Sequence, residues 1–414
     1  MNLLLISLLS FTIAILIPAL CGWLLSNDNS LRISEKSISI LLFFAYFYMF
    51  SFTFGLQSHY FIIFLGIAIL LAIYALYKKA TLNYHQLLVL LCGTFITIPY
   101  LIEFPISQWD GYFIWLPRYL AIKEFHSPEI IRNLDLAQQT YPFLGPAIWA
   151  LTDPLQSTSL FQIGRVAFGL IFISSLICIY DWASSLATAI IIGILFFRLE
   201  IFSGYQDYTI TILLAVGLGQ ILFRKYHPSS PVLWSPIALF KTEGIVLFFL
   251  LIGTHIIFHR KSIKPKDLLW ALLSIPIAFG WQVATALKGA DITNIQNHSF
   301  DLHRLTVYSA ERIGLISQQL ADYLKKDALV AAVALVSFIR HRKQLYPHII
   351  SLCLYVLFLF VTFYCTIQPI EWHLATAFER LAFHLRAWFL VAWVVTMPGL
   401  IATAMLKIKN WRTR

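Results

Sequence analysis

Charge is scarce in this chain. Of its 414 residues only 12% are Asp, Glu, Lys or Arg, against about 25% in soluble globular domains. That shortage excludes an ordinary soluble fold. Other absences narrow the chemistry. There is no Gly-rich phosphate loop. There is no Asp-x-Asp pair and no His/Cys cluster at zinc-ligand spacing. The five cysteines, Cys21, Cys92, Cys178, Cys353 and Cys365, lie scattered through apolar runs, where they read as small buried hydrophobes. No metal, no nucleotide and no other cofactor is expected from these patterns.

What the chain has instead is apolar length. Hydrophobic residues make up 59% of it and aromatic residues 16%. A helix needs about 20 apolar residues to cross the hydrocarbon core, and Trp and Tyr gather at the two interfaces. Candidate membrane helices fall near 3–25, 38–55, 60–77, 86–103, 159–180, 186–201, 208–223, 231–240, 243–258, 268–287, 327–340, 347–368 and 387–406. The stretch at 231–240 is too short to cross alone and reads as half of a hairpin that turns at "FKTEG". The expected fold is all-α: a polytopic membrane bundle of about 11–13 helices forming a single domain. The first apolar run, "MNLLLISLLSFTIAILIPALCGWLL", lacks a basic n-region and is too long for a signal peptide, so it reads as the first span.

The net charge of +10 does not form one basic face. It is divided among short clusters, which excludes a nucleic-acid surface. Basic residues concentrate around Arg32/Lys36, Lys78/Lys79, Arg224/Lys225, Arg260 to Lys266, Arg340 to Lys343 and the C-terminal tail. Those connections are short, and the positive-inside rule places them in the cytoplasm. The N-terminus is then expected outside and the C-terminus inside. The three long connections, 104–158, 288–326 and 369–386, fall together on the outer face. Two of them contain amphipathic segments. "PRYLAIKEF", opened by Pro117, is expected to lie on the membrane with Arg118, Lys123 and Glu124 on its polar side. Leu302, Leu305, Ile313, Ile316, Leu320 and Leu324 give 301–325 a similar helical spacing.

An ionisable group in or beside a span costs several kcal/mol unless it is paired or faces a cavity. Asp110, in "SQWDGYFIWLPRY", follows an apolar run and precedes the interfacial segment. It reads either as a base at the mouth of a cavity or as a solvated turn residue. Asp207, in "GYQDYTITILL", reads as a helix cap or a site residue. Lys241 and Glu243 occupy the hairpin tip, where they pair with each other or serve a site. The segment "EWHLATAFERLAFHLRAWFL" carries His373, Glu379, Arg380, His384 and Arg386. Continuous helical spacing puts His373 and Arg380 on one face. An Arg there suits phosphate, because its planar fork matches phosphate oxygens.

Five motifs then carry a resemblance. "QWDGYFIWLPRYLAIKEF", "YPFLGPAIWAL", "GYQDYTITILL", "FKTEGIVLFFLL" and "WHLATAFERLAFHL" follow the order found in bacterial GT-C glycosyltransferases. They resemble those of the protein O-mannosyltransferases and the lipid A aminoarabinose transferases. The resemblance covers 86–414 and leaves 1–85 as additional N-terminal spans. It implies a GT-C-like bundle in the bacterial plasma membrane. The implied chemistry is transfer of a sugar from a polyprenyl-phosphate carrier to a glycan, lipid or protein hydroxyl on the outer face. It implies Asp110 as the general base. Arg380, Lys241, Arg386 and Arg118 are the cations expected at the lipid phosphate. Asp207, Glu243, His373 and Tyr141 complete the expected binding set. Related sequences often have a second proline where this chain has Phe143, and often a second acid close to the first. Two other readings stand beside this one. An O-antigen polymerase or ligase would rely on His298, His303, Arg304 and Arg312. A transporter or flippase for lipid-linked sugars would carry its charges near the bilayer midplane.

Overall fold

The structure is a computed structural model. It describes residues 33–53, 111–122, 142–152, 166–196, 206–282 and 301–412. Asp110, Tyr141, Arg165 and His298, and the expected spans at 3–25, 60–77 and 86–103, lie outside the described residues. Within them the chain is all-helical. The helices are α1 (Ile33–Thr53), α2 (Leu116–Leu120), α3 (Leu144–Thr152), α4 (Val166–Ala183), α5 (Leu186–Phe196), α6 (Gln206–Phe223), α7 (Ser230–Trp234), α8 (Glu243–His259) and α9 (Leu268–Ala278). They continue with α10 (Ala310–Lys326), α11 (Ala328–Arg340), α12 (Arg342–Tyr364), α13 (Ile370–His373), α14 (Glu379–Phe383) and α15 (Leu385–Arg412).

Helix α6 is the axis. Fifteen of its residues, from Gln206 to Leu222, are buried, and it packs against α4, α8 and α15. Two glycines let neighbours approach it. A Cβ on Gly219 would stand 2.3 Å from the Trp182 ring, and one on Gly217 would stand 2.9 Å from Leu251. A helix buried on every side in this way belongs to the centre of a large bundle or of a membrane protein. Among the described residues three stretches, Gln206–Phe223, Arg342–Tyr364 and Ile370–Thr403, are long and apolar enough to cross a membrane. Outward-facing Leu269, Leu272 and Leu273 on α9, Leu335 and Ile339 on α11, and Leu357 on α12 leave apolar surface uncovered. Water does not tolerate a surface of that kind, whereas hydrocarbon does.

The hairpin at "FKTEG" is present. Helix α7 runs into a 3₁₀ turn, Ser235–Leu239, which packs back on α8. Pro231 and Pro236 sit in the first turns of these two short pieces, where a missing N–H costs nothing. The hairpin closes tightly at Gly244, whose Cβ would meet the Ile237 carbonyl at 2.4 Å.

Both ends of the bundle are tied by ions. At one end Glu35 of α1, fully buried, receives Arg224 Nε at 3.0 Å and Trp182 Nε1 at 3.2 Å. This joins the N-terminal part of the chain to α4 and the end of α6. At the opposite end Arg386 makes a buried, two-pronged pair with Asp327, the residue just before α11.

Four expectations need correction. The 371–390 segment is not one continuous helix. A π-helical turn, Leu374–Phe378, follows α13, and the chain breaks again at His384 before α15. Because a π turn holds an extra residue, His373 and Arg380 lose their common face. The 301–325 segment is not one helix either. Leu302–Thr306 is a 3₁₀ turn, Val307 is extended, and α10 starts afresh with Ser309 as its cap. The break is fixed by Tyr364, whose hydroxyl accepts the Ser309 N–H and donates to the Val307 carbonyl. Finally, Arg118 does not lie on a polar face. It is wholly buried, with Nη1 donating to the Ile114 carbonyl at 2.9 Å and the guanidinium 5.5 Å from the Trp115 ring. Cys353 is also exposed rather than buried.

Candidate functional site

Three helix ends converge on one charged cluster. Asp207 is the second residue of α6, Glu243 is the first of α8, and Lys241 lies in the hairpin turn just before it. Lys241 Nζ donates to Asp207 Oδ1 at 3.0 Å and Oδ2 at 3.2 Å, and stands 3.1 Å from Glu243 Oε1. Asp207 is 1% exposed and Lys241 5%. The acids sit in the first turns of α6 and α8, where the helix dipole favours negative charge. The sequence-based alternatives are thereby resolved. Asp207 points at Lys241 instead of capping its helix, and the Lys241–Glu243 pair forms but is shared with Asp207.

His384 completes the cluster at the break between α14 and α15. It is fully buried, and one of its ring nitrogens lies within 4.8 Å of oxygens of both Asp207 and Glu243. Its Nδ1 is 2.7 Å from Thr211 Oγ1, one turn along α6 from Asp207. The Arg380 guanidinium acts on Asp207 through space from the preceding short helix. Tyr355 of α12 backs the group: its ring stacks on Trp388 at 5.3 Å, stands 6.0 Å from His384, and its hydroxyl donates to the Leu381 carbonyl. Three separate stretches of chain thus deliver Asp207, Lys241, Glu243, Arg380 and His384 to one place.

Burying this many charges is expensive. Each ion loses several kcal/mol of hydration, and pairing returns that only where geometry is good. Two carboxylates share one ammonium here, and the nearby guanidinium brings the formal charge to balance. Asp207, Glu243 and His384 also form a donor set of metal-binding type. Lys241 already stands between the two carboxylates, so its ammonium and a metal ion would compete for the same oxygens.

A narrow apolar cleft, open on one side, runs beside the cluster between α4, α5, α6 and α15. Phe172, Ile179, Ile192 and Leu390 are among its walls. Thr211 and Arg386 also line it, so the cleft reaches the same Thr211 that touches His384.

The remaining sequence-selected residues sit elsewhere. His373 is buried with Nδ1 2.8 Å from Thr366 Oγ1 and its ring against Phe363. Arg386 is committed to Asp327 and lies 4.9 Å from the Phe383 ring. Glu379 is on the surface, 3.5 Å from Lys326. Arg304 and Arg312 both reach the Thr366 carbonyl, and Arg312 the Tyr364 carbonyl at 3.0 Å, so they cap the end of α12. Sequence reasoning passed over Thr211, Tyr355 and Asp327 altogether. It named His384 in the 371–390 segment without giving it a role, although it is wholly enclosed at the cluster.

No protein-family model, no curated protein and no solved structure matches the chain.

Proposed function

We propose that this protein is an integral-membrane glycosyltransferase that takes its sugar from a polyprenyl-phosphate carrier. The observation that carries the reading is the buried cluster of Asp207, Lys241, Glu243 and His384 beside an apolar cleft. A lipid-linked sugar needs that combination: a dry groove for a hydrocarbon tail, and fixed charges and hydrogen-bonding groups for its polar head. Cations near the leaving phosphate stabilise charge that develops during transfer.

In this reading the acceptor hydroxyl attacks the anomeric carbon. A new C–O bond forms to the acceptor, and the bond from the anomeric carbon to the phosphate oxygen breaks. The bonding pair leaves with the lipid phosphate, where Arg380 and Lys241 are the nearest cations of the cluster. Asp110 takes the hydroxyl proton. A single displacement inverts the anomeric centre. No step requires a nucleotide or a bound metal. The charged cluster lies at the ends of α6 and α8, not at their centres, and this favours chemistry at a membrane face over passage through the middle of the bilayer. The arginines that a ligase reading would use, Arg304 and Arg312, are occupied with backbone carbonyls. The charge asymmetry of the connections in the sequence supports a working end outside the cytoplasm.

Mass spectrometry of envelope lipids and glycans from cells with and without the protein tests this. A sugar that disappears with the protein identifies donor and acceptor together. An unchanged profile, with no accumulation of lipid-linked sugar, contradicts the reading.

A further inference from the structure

Cations at the two ends of the bundle are treated differently. Beside α10, Lys325 pairs with Asp322, Lys326 with Glu379 and Arg304 with Asp301. In the turn between α8 and α9, Arg260, Lys261, Lys264 and Lys266 are all exposed, and none of them makes an ion pair. Asp267, the acid of this turn, is already engaged. Its Oδ2 accepts the Lys264 backbone N–H and the Tyr226 hydroxyl, each at 2.9 Å. The chain is pinned elsewhere too. The Ser262 and Ile263 N–H groups both turn back to the His259 carbonyl, and the Asp267 N–H to the Lys264 carbonyl. Pro265 fixes φ at the start of the short 3₁₀ turn Pro265–Asp267. Four like charges are thus held within seven residues, and crowding of that kind costs free energy that a bound anion returns.

Apolar surface begins where these charges end. Leu268, Leu269, Leu272 and Leu273 of α9 are 46–60% exposed, and Trp270, also exposed, stands one turn after Lys266. Tryptophan collects at the headgroup level of a membrane. On α8, Ile256 is exposed one turn before Arg260, and exposed Phe249 lies 6.1 Å from Phe279, just beyond α9. Helix α9 rests mainly on α7 and the Ser235–Leu239 turn and only lightly on α8. The outward faces of α8 and α9 therefore lie side by side, with the four cations at one end.

We propose that this corner binds an anionic phospholipid, with the 260–266 turn on the headgroup phosphate and the exposed faces of α8 and α9 against the chains. The proposal is independent of the sugar-transfer reading. The sequence expects this turn at the cytoplasmic leaflet, whose anionic lipids attract clustered Lys and Arg beside a span. A phospholipid matches both halves of the corner. A soluble phosphate would meet only the charges, and a neutral lipid only the leucines. Asp267 is the positioning residue, because its two hydrogen bonds hold the turn in shape while its own charge opposes the anion.

Lipid retention, read by native mass spectrometry, tests the proposal. The whole protein in detergent is offered equal amounts of phosphatidylglycerol and phosphatidylcholine with the same chains. The expected result is a preference for phosphatidylglycerol of about tenfold or more, lost when Arg260→Gln, Lys264→Gln and Lys266→Gln are combined. Equal retention of the two lipids by the wild type, or an undiminished preference in the triple variant, overturns the proposal. Asp267→Ala separates a shaped site from a diffuse field, because it loosens the turn while making the net charge more positive by one. Phosphatidylglycerol retention should fall by about fivefold, whereas unchanged or stronger retention overturns the site. Glycerol 3-phosphate at millimolar concentration should leave the lipid in place. Displacement by it would assign the turn to a free phosphate and overturn the lipid proposal. Size exclusion confirms that each variant is folded, and none of the substitutions lies in the charged cluster, so product formation tests the transfer reading separately.

Discussion

Lys241 holds two carboxylates at once: its Nζ lies 3.0 Å from Asp207 and 3.1 Å from Glu243, at the meeting point of α6 and the α7–α8 hairpin. The Asp207 contact is nearly sealed from solvent. Removing one partner of such a pair strands the other charge, at a cost of about 3–5 kcal/mol. Lys241→Met is therefore expected to lower thermal stability in detergent markedly. The double change Asp207→Leu with Lys241→Met should recover part of that loss, because the more deeply buried carboxylate is gone while Glu243 still lacks its ammonium, and product formation should stay absent. Thermal unfolding of the three proteins, read beside product formation, checks this separation.

The Arg386–Asp327 pair is of a different kind. It joins the residue just before α11 to the first turn of α15, and it is a structural tie rather than a phosphate clamp. Asp327→Asn is expected to destabilise the protein by a few kcal/mol yet to leave product per folded molecule within about threefold of wild type, a difference of roughly 0.6 kcal/mol. Quantifying folded protein by size exclusion before the activity measurement distinguishes the two effects.

Gly244 links backbone geometry to the site. The 2.4 Å approach of a Cβ to the Ile237 carbonyl leaves no flexible atom to yield, so Gly244→Ala has to spread the hairpin. Lys241 and Glu243 flank this position, and the loss of geometry should reach the site even where the fold survives. Misplacement by about 1 Å costs on the order of 100-fold in rate. Gly253→Ala, on the same helix with open space around its Cβ, is the matched control and should have little effect on either stability or product.

At the opposite end of the bundle, Tyr226 donates its phenol proton to Asp267 Oδ2 at 2.9 Å. Desolvation, helped by that carboxylate, pushes the Tyr226 hydroxyl up to about 12. The Asp267 carboxyl is held below its ordinary value, first by the Lys264 backbone N–H and also by Tyr226. A raised tyrosine contributes stability that is complete below its ordinary value near 10 and is lost as pH climbs through about 12. A depressed carboxyl contributes stability that is complete above its ordinary value and is lost as pH falls through its lowered one. Ultraviolet titration of the wild type against Tyr226→Phe should show this tyrosine ionising late. Asp267→Asn should move that ionisation down towards 10, and an unchanged titration would count against the contact.

The helical class was legible because charge scarcity and apolar run length are properties of composition. The hairpin at "FKTEG" was legible because a ten-residue apolar stretch cannot cross a bilayer alone and the turn carries its own glycine. Asp207, Lys241, Glu243 and Arg380 were selected because charge is rare here, so each instance demanded a partner. Their convergence was not legible, since it depends on α6, α8 and α14 meeting in space. The common face assigned to His373 and Arg380 failed because periodicity assumes one continuous helix, and a π turn has no marker in composition. Arg118 was assigned to a polar surface by its charge, whereas its guanidinium finds a carbonyl and an aromatic ring inside the bundle. Asp327 escaped notice because an acid at the start of a span looks the same whether or not a distant arginine reaches it.

The most direct test follows the leaving group. Purified protein in proteoliposomes is supplied with the polyprenyl-phosphate-linked sugars extracted from its own cells, together with their envelope acceptors, and the release of free polyprenyl phosphate is measured. The wild-type protein should release it in step with the appearance of glycosylated acceptor. Asp110→Asn and Asp207→Asn, compared at equal folded amounts, should release it at least about 100-fold more slowly. Release by both variants at the wild-type rate, or none by the wild-type protein while the sugar lipids stay intact, would contradict the account.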